Sequence, residues 1–272
     1  MRAIPIAKAI ARTYDSSVVA LHVRGPVVNS VTPPAAWPMV QEAEKQKDEL
    51  RRGELRSYFA GIPATARIEE GDILSHLEEA IKNDNVDLVV VGTHGRTGFG
   101  KLILGSVAEE ILRTVHCPVL TVGPNAGTAW VVGTKIREVL LATDFSPESR
   151  EAAAYVSLAQ EFLARLVLLH VVANPTAGEL VSPADVTAAS ENLLRQFLPE
   201  DAELCCKPEF IVAHGKSAEM ILEIAKQRES DLVVLGARPE SGIPGASTHL
   251  PIATARKVVS HATCPVLTVR HD

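Results

Sequence analysis

The second half of this 272-residue chain repeats short segments of the first half, in the same order and at nearly constant spacing. Three segments recur with offsets of 144 to 148 residues: DLVVVG at 87–92 and DLVVLG at 231–236, CPVLTV at 117–122 and at 264–269, and ALHV at 20–23 and LLHV at 168–171. A unit repeated at this length predicts two tandem domains. We expect a first domain over 1–124, a linker over 125–135 and a second domain over 136–272, because glycine and proline cluster at the junction.

Apolar segments of strand length alternate with segments of helix length in both units. The first unit is predicted to contain helices over 4–13, 37–59 and 72–84 and strands over 17–23 and 64–69. The second is predicted to contain strands over 137–143, 166–171, 203–213, 231–235 and 265–269 and helices over 147–164, 183–198, 217–229 and 251–261. Ser146 and Pro147 are typical of the N-cap and first residue of a helix. This alternation predicts parallel sheets with right-handed crossovers and ligands at the carboxyl ends of the strands.

A glycine-rich segment follows the buried strand DLVVVG and precedes the next helix. The segment contains Gly92, Gly95 and Gly105, and Ser106 stands at the start of the helix. Glycines let a backbone turn sharply and approach a ligand closely. The free N–H groups at the start of a helix, together with its dipole, favour an anion. The segment is therefore typical of a phosphate-binding loop, and the alternative is a loop that only turns the chain.

The spacing Gly92-x2-Gly95-x9-Gly105-Ser106, between DLVVVG and CPVLTV, resembles the ATP-binding signature of the universal stress protein family. The resemblance covers nearly the whole chain. It implies two tandem Rossmann-like α/β domains, of the adenine nucleotide alpha hydrolase-like type, with parallel five-stranded sheets in the order 3-2-1-4-5. It also implies that the last strands, 118–122 and 265–269, pair across a two-fold axis as an intrachain pseudo-dimer, and that a homodimer can form.

The opening strand of the second unit has no counterpart in the first. With an offset of 148 residues, the segment VLLATDFS at 139–146 would fall before Met1. The resemblance makes this strand the central one of the sheet, and its loss would leave buried backbone groups unpaired. We therefore expect a first domain that lacks its opening strand. N-terminal truncation is the favoured explanation, and another segment that fills the gap is the alternative.

The resemblance also assigns site residues. In that family an Asp at the TDFS turn contacts the adenosine, the backbone of a Val after the second strand's His contacts adenine, and the glycine loop holds the phosphates. His94 and Arg96 could meet phosphate oxygens, Arg96 with two donors. Carried over to this chain, the predicted adenine-nucleotide site residues are Val23, Gly92, His94, Gly95, Arg96, Gly105 and Ser106 in the first unit and Asp144 and Val171 in the second.

Each half departs from that pattern in one place. The first half has no Asp position, whereas the second has Pro239 where Gly95 stands and Ile252-Ala253 where Gly105-Ser106 stand. Because proline has no N–H to donate, we expect no phosphate cradle in the second half. Asp144 has an alternative role as an acceptor of nearby backbone N–H groups. His22 and His170 occupy matching strand positions, where a hydrogen-bonded histidine is expected rather than a ligand or base.

Composition limits the possible partners. A net charge of −6 argues against a nucleic-acid partner. No apolar run approaches the length needed to span a bilayer, and the N-terminus has no signal-peptide pattern, so a cytoplasmic protein is expected. The four cysteines have no metal-binding or redox spacing and are expected to be small buried residues.

The function predicted from these features is that of a non-catalytic, ATP-binding regulator of stress responses, with the nucleotide in the first domain and with or without Mg²⁺. Two alternatives stay open. One is a slow ATPase or phosphotransferase in which Ser106 or Thr97 takes part. The other is an interaction scaffold that has lost nucleotide binding, since each half lacks one part of the family's site.

Overall fold

A computed structural model describes residues 2–25, 33–93, 104–127, 136–156, 165–173, 182–198, 207–237 and 252–270. The chain divides into two compact units. The smaller unit comprises residues 4–87, and the larger unit comprises residues 1–3 and 88–272. The smaller unit therefore contains most of the first half, whereas the last strands of the first half belong to the larger unit.

The smaller unit is a two-stranded parallel sheet with three helices. Its elements are α1 (Ala3–Thr13, whose first residue belongs to the larger unit), β1 (Val18–Arg24), α2 (Trp37–Tyr58), β2 (Ala64–Glu70) and α3 (Ile73–Asp84). A turn of 3₁₀ helix, Pro34–Ala36, precedes α2. Asp72 caps α3, because its Oδ2 accepts a hydrogen bond of 2.8 Å from the backbone N–H of Ser75. The helix α2 has no fully buried residue, so its run of charged side chains lies on a solvated surface.

The larger unit is built on one seven-stranded sheet in the order β3-β4-β9-β8-β5-β6-β7. Its elements are β3 (Val89–Gly92), α4 (Ser106–Thr114), β4 (Val119–Val122), β5 (Glu138–Thr143), α5 (Pro147–Ala154), β6 (Arg165–Val172), α6 (Pro183–Arg195), β7 (Glu209–His214), α7 (Ser217–Gln227), β8 (Leu232–Gly236), α8 (Ile252–His261) and β9 (Val266–Val269). All residues of β4, β5, β8 and β9 are buried. Such uniformly apolar strands are expected where helices cover both faces of a parallel sheet.

The strand order of the second half confirms the expected topology. Its five strands lie in the order β9-β8-β5-β6-β7, which is 5-4-1-2-3 in chain order, and all neighbours among them are parallel. The pairing of the last strands is confirmed as well, because β4 and β9 are antiparallel with Leu120 opposite Leu267. The two halves are thus joined through a continuous sheet.

The first half supplies four strands in two separate parallel pairs, β1–β2 and β3–β4. Among the described residues, none of the first half forms a counterpart of β5. The α/β class and the tandem arrangement are as predicted, and the described part of the first half contains no strand that corresponds to β5.

Two element boundaries differ from the predictions by more than three residues. The strand predicted over 203–213 begins at Glu209, because Pro208 has no N–H to donate to a sheet, and 203–206 lie outside the described residues. Of the helix predicted over 147–164, the part that is described ends at Ala154, where Tyr155 and Val156 donate to acceptors three residues back and tighten the chain into a turn. Residues 157–164 lie outside the described residues. Its start is as predicted: Ser146 Oγ accepts from Ser149 N–H at 3.2 Å, and Pro147 is the first helical residue.

Candidate functional site

The ends of the glycine loop meet at the carboxyl end of β3. Gly92 is the last residue of this strand, and the buried Thr93 donates its N–H to the carbonyl of Val122 at 3.1 Å. The N–H of Gly105 then donates to the carbonyl of Thr93 at 3.1 Å. The intervening residues 94–103, which include the predicted site residues His94, Gly95 and Arg96, lie outside the described residues.

Gly105 has to be a glycine because the backbone approaches it closely. A Cβ atom at this position would lie 2.9 Å from the carbonyl oxygen of Thr93. Real Cβ atoms essentially never come that near to another backbone, so a side chain here would push the start of α4 away from β3. This glycine therefore serves packing whether or not a ligand binds.

The helix α4 begins beside this contact, and its N-cap residue provides no side-chain cap. Gly105 is its N-cap in an extended conformation and supplies no side-chain acceptor, whereas its carbonyl accepts from Glu109 N–H at 2.9 Å. Ser106 and Val107 are exposed in the first turn. First-turn N–H groups have no partner within a helix, and the helix dipole adds partial positive charge there. This N-terminus can therefore accept an anionic group.

Val23, the predicted adenine contact of the first half, lies near the end of β1 in the smaller unit. It is half-buried and pairs with Glu69 of β2. Gly92, Gly105 and Ser106 belong to the larger unit. The predicted base contact therefore lies in one unit and these predicted phosphate contacts lie in the other, so each is described by itself.

In the second half, the side chain of Asp144 accepts hydrogen bonds from its own turn. Its Oδ1 accepts from Ser146 N–H at 3.0 Å and also from the hydroxyl of Ser149. Ser149 is fully buried and its N–H donates to Ser146 Oγ. Asp144 thus stabilises the turn that leads into α5. This is the alternative role predicted from the sequence, in which the carboxylate accepts nearby backbone N–H groups.

Next to Asp144, His170 is held in a defined orientation. Its Nδ1–H donates to the carbonyl of Thr143 at 2.9 Å, and its ring lies against Phe145 with 4.4 Å between centroids. Burial lowers the pKa of His170, opposed by the Thr143 hydrogen bond and the charge of Asp144. A hydrogen-bonded histidine is what its strand position predicts. Val171, the second predicted adenine contact, follows it and pairs with Ala213.

An aromatic cluster beside this histidine is a feature that the sequence analysis missed. Phe145 also meets Phe197 edge-on at 5.9 Å, and the guanidinium of Arg150 lies 5.8 Å from the centre of the Phe197 ring. Phe145 adopts a positive φ of 64°, which is uncommon for a bulky residue. The position of Phe145 in the turn was visible in the sequence, but its contact with Phe197 depends on how α6 packs.

The glycine that ends β8 differs in its surroundings from its counterpart in the first half. A Cβ atom at Gly236 would lie 2.4 Å from Ser149 N and 2.5 Å from Glu148 C, so α5 packs directly on this glycine. At Gly92, the nearest described atom to such a Cβ is the Cβ of Ala3 at 3.9 Å, an ordinary contact distance. The loop that follows Gly236, residues 238–250 with Pro239, lies outside the described residues.

At the amino ends of β5 and β8, polar groups surround a cavity of about 280 Å³ lined in part by Arg137, Asp231 and Cys264. Asp231 Oδ2 accepts from the backbone N–H of Arg137 at 2.7 Å and of Glu138 at 3.2 Å. Burial, with the nearby charge of Asp231, raises the pKa of Cys264 to about 12. Cys264 is therefore an unreactive buried thiol, as expected from the sequence.

Comparison with known proteins defines the class of this α/β protein. The family model described as "Universal stress protein family" matches residues 1–123 and 135–270. The chain belongs to the universal stress protein family. It is therefore a tandem protein with two copies of that domain.

Individual relatives agree with this assignment. A universal stress protein of Mycolicibacterium smegmatis is 27% identical over 276 residues, covering 96% of this chain and 89% of the relative. One of Methanocaldococcus jannaschii is 32% identical over 117 residues, covering 42% of this chain and 68% of the relative. The crystal structure of a universal stress protein from Archaeoglobus fulgidus matches with a TM-score of 0.65 at 20% identity, covering 100% of this chain and 92% of that one. This structural match supports the fold.

None of the helices in the described ranges is both long enough and apolar enough to cross a membrane.

Proposed function

We propose that this protein is a non-catalytic regulator that binds an adenine nucleotide, ATP with or without Mg²⁺, at the glycine loop of its first half. The observation that carries the proposal is the start of α4. Gly105 brings this helix N-terminus to the carboxyl end of β3 and, having no side chain, contributes no acceptor of its own to the first-turn N–H groups. This is the position at which parallel α/β sheets bind ligands, and phosphate is the group that such a terminus favours.

Membership of the family supports the remaining contacts. Phosphate oxygens would be held by the loop from Gly92 to Ser106, with His94, Gly95 and Arg96 contributing, and the backbone of Val23 would contact adenine. Asp144 and Val171 are the corresponding residues of the second half. Because Asp144 already accepts two hydrogen bonds from its own turn and Pro239 interrupts the second loop, we assign the nucleotide to the first half. A cytoplasmic homodimer is part of the same proposal.

The proposal is tested by titrating Mg·ATP, and ATP with EDTA, into the full chain and into a Ser106→Asp variant. Ser106 is exposed at the first position of α4. An aspartate there stabilises the helix dipole, so the fold is retained, but its charge repels phosphate. We expect binding to the unmodified chain and at least a tenfold weaker affinity for the variant, which corresponds to about 1.4 kcal/mol.

Ala253→Asp is the matched control, because Ala253 is exposed at the corresponding position of α8. It should bind ATP as the unmodified chain does. Equal ATP binding by all three proteins, or a loss of binding in the Ala253 variant alone, would show that ATP does not bind at α4. Failure of the unmodified chain to bind ATP would contradict the proposal. If the unmodified chain hydrolyses ATP and the Ser106→Ala variant does not, the function is that of an ATPase or phosphotransferase rather than that of a non-catalytic regulator.

A further inference from the structure

The cavity of about 280 Å³ at the amino ends of β5, β8 and β9 is separate from the glycine loop. None of the described residues that line it belongs to that loop, and in the second half it lies away from the carboxyl ends of the strands, where parallel sheets usually bind ligands. Its volume is just below the roughly 300–1,000 Å³ of sites for drug-sized molecules, so it suits a smaller ligand. Its buried lining residues, which we call the floor, are Ser230, Asp231, Cys264 and Pro265.

The floor contains a hydroxyl group that has no partner. Ser230 is only 6% exposed, and no group among the described residues forms a hydrogen bond with its Oγ. Buried hydroxyls are normally paired, because an unpaired one has lost its bonds to water without replacement. A buried, unpaired hydroxyl on a residue that lines a cavity is explained by a ligand that supplies the missing hydrogen bond.

The turn that carries Ser230 does not itself require the hydroxyl. With the repeat offset of 144 residues, Glu229 and Ser230 correspond to Asn85 and Val86. The two turns have the same backbone, since Glu229 has a φ of 53° and Asn85 a φ of 50°. The N–H groups of Ser230 and Val86 each donate to the carbonyl five residues back, at 2.9 and 3.0 Å. Because valine serves this turn in the first half, the serine is free to serve another purpose in the second.

Charged side chains of both signs surround this hydroxyl. Burial and the charge of Asp231 raise the pKa of Cys264, so the floor carries negative charge. Arg137 and Lys226, which we call the rim cations, are exposed, and so is Glu229. None of these three side chains has an ion-pair partner within the described ranges. With two positive and two negative side chains among its described lining residues, the cavity matches a molecule that carries one charge of each sign.

We propose that this cavity binds a small zwitterionic α-amino acid with an aliphatic side chain. The ammonium group of the amino acid donates to Ser230 Oγ beside the negative charge of Asp231, and its carboxylate lies between the rim cations. Cys264 and Pro265 provide the apolar surface that the aliphatic side chain covers. The proposal is independent of nucleotide binding, because no predicted nucleotide contact lines the cavity.

The test is an NMR titration of the isotopically labelled full chain with L-leucine, following the backbone amide signals of Ser230, Asp231 and Cys264. Two matched probes keep the leucine side chain: 4-methylpentanoate lacks the ammonium group, and 3-methylbutylammonium lacks the carboxylate. We expect saturable shifts with L-leucine and about tenfold weaker binding of each matched probe, because each has lost one charge-assisted contact.

Two substitutions locate the contacts. Ser230→Ala should weaken L-leucine binding about tenfold without lowering the resistance to urea, because the deleted hydroxyl has no partner within the protein. Lys226→Gln should weaken binding about threefold, since solvent screens an exposed charge. Lys216→Gln is the matched control, because Lys216 is exposed at the opposite end of α7, and it should leave the affinity for L-leucine unchanged.

Four results would overturn the proposal: no saturable shift at the solubility limit of L-leucine, equal binding of the three probes, unchanged L-leucine affinity in Ser230→Ala, or a loss of stability in that variant. The last result would show that the hydroxyl has a structural partner. None of these outcomes bears on ATP binding at α4, which the Ser106→Asp variant tests separately.

Discussion

Replacing Gly236 by alanine is expected to lower the free energy of unfolding by about 3 kcal/mol, the upper part of the usual cost of overpacking a core. The new Cβ would lie 2.4 Å from Ser149 N and 2.7 Å from Glu148 O, both backbone atoms of α5. A flexible side chain could move aside, but here the start of the helix has to shift. That shift would also disturb the bonds of the buried Ser149 with Asp144 and Ser146. Urea unfolding measures the difference.

Gly92→Ala is the matched control for this prediction. Gly92 is the corresponding glycine of the first half, and among the described residues its Cβ would meet Ala3 at an ordinary contact distance of 3.9 Å. We expect a change within about 0.5 kcal/mol, as for a substitution that disturbs no contact. Similar losses in both variants would show that the two glycines have the same packing role, contrary to the structure.

The second large effect is expected at Asp231. Asp231→Ala should lower the free energy of unfolding by about 2 kcal/mol, because it removes a charged acceptor from two backbone N–H groups at the start of the central strand β5. Arg137 and Glu138 supply these N–H groups, and the N–H of Asp231 donates in return to the carbonyl of Glu138 at 2.9 Å. Relief of repulsion with the buried Glu138 carboxylate, whose pKa burial raises, offsets a part of the loss.

Asp87→Ala separates this role from the general effect of removing a carboxylate. Asp87 precedes β3 as Asp231 precedes β8, but it is exposed. We expect a change within about 0.5 kcal/mol. If both variants lose the same stability in urea unfolding, the hydrogen bonds to β5 are not what makes Asp231 important.

Much of the fold was predictable because the repeat carries strong local patterns. The uniformly apolar segments that precede a glycine predicted β3 and β8, and the two CPVLTV segments predicted β4 and β9. Ser146 and Pro147 located the start of α5, since capping depends on neighbouring residues alone. The antiparallel pairing of β4 with β9 followed from the family resemblance, and a sequence pattern by itself does not specify it.

Other features depend on distant contacts and were not visible in the sequence. Gly92 and Gly236 end nearly identical motifs, yet among the described residues Gly236 lies against the backbone of a helix whereas Gly92 does not. The contact of Phe145 with Phe197 joins one turn to the turn that follows α6, about fifty residues away and beyond the range of any periodicity. The division of the first half between two units likewise follows from which strands find partners, and no sequence pattern specifies it.

For the candidate site, the sequence correctly placed Gly105 and Ser106 at the start of α4. It did not reveal that Gly105 is already required by the close approach of Thr93. A substitution at Gly105 would therefore change packing and ligand binding together, whereas Ser106 is exposed and reports on the ligand. The roles of Val23, His94, Gly95, Arg96, Asp144 and Val171 in nucleotide binding stay predictions.

The most direct test of nucleotide binding at α4 is an NMR titration of the isotopically labelled full chain with Mg·ATP, following the backbone amide signals. If the first half binds the phosphates, the signals of Ser106, Val107 and Ala108 shift with a single saturation curve, while those of Ala253 and Thr254 at the start of α8 stay in place. Shifts confined to α8 or to the turn at Asp144, or no shift at saturating ATP, would contradict the account.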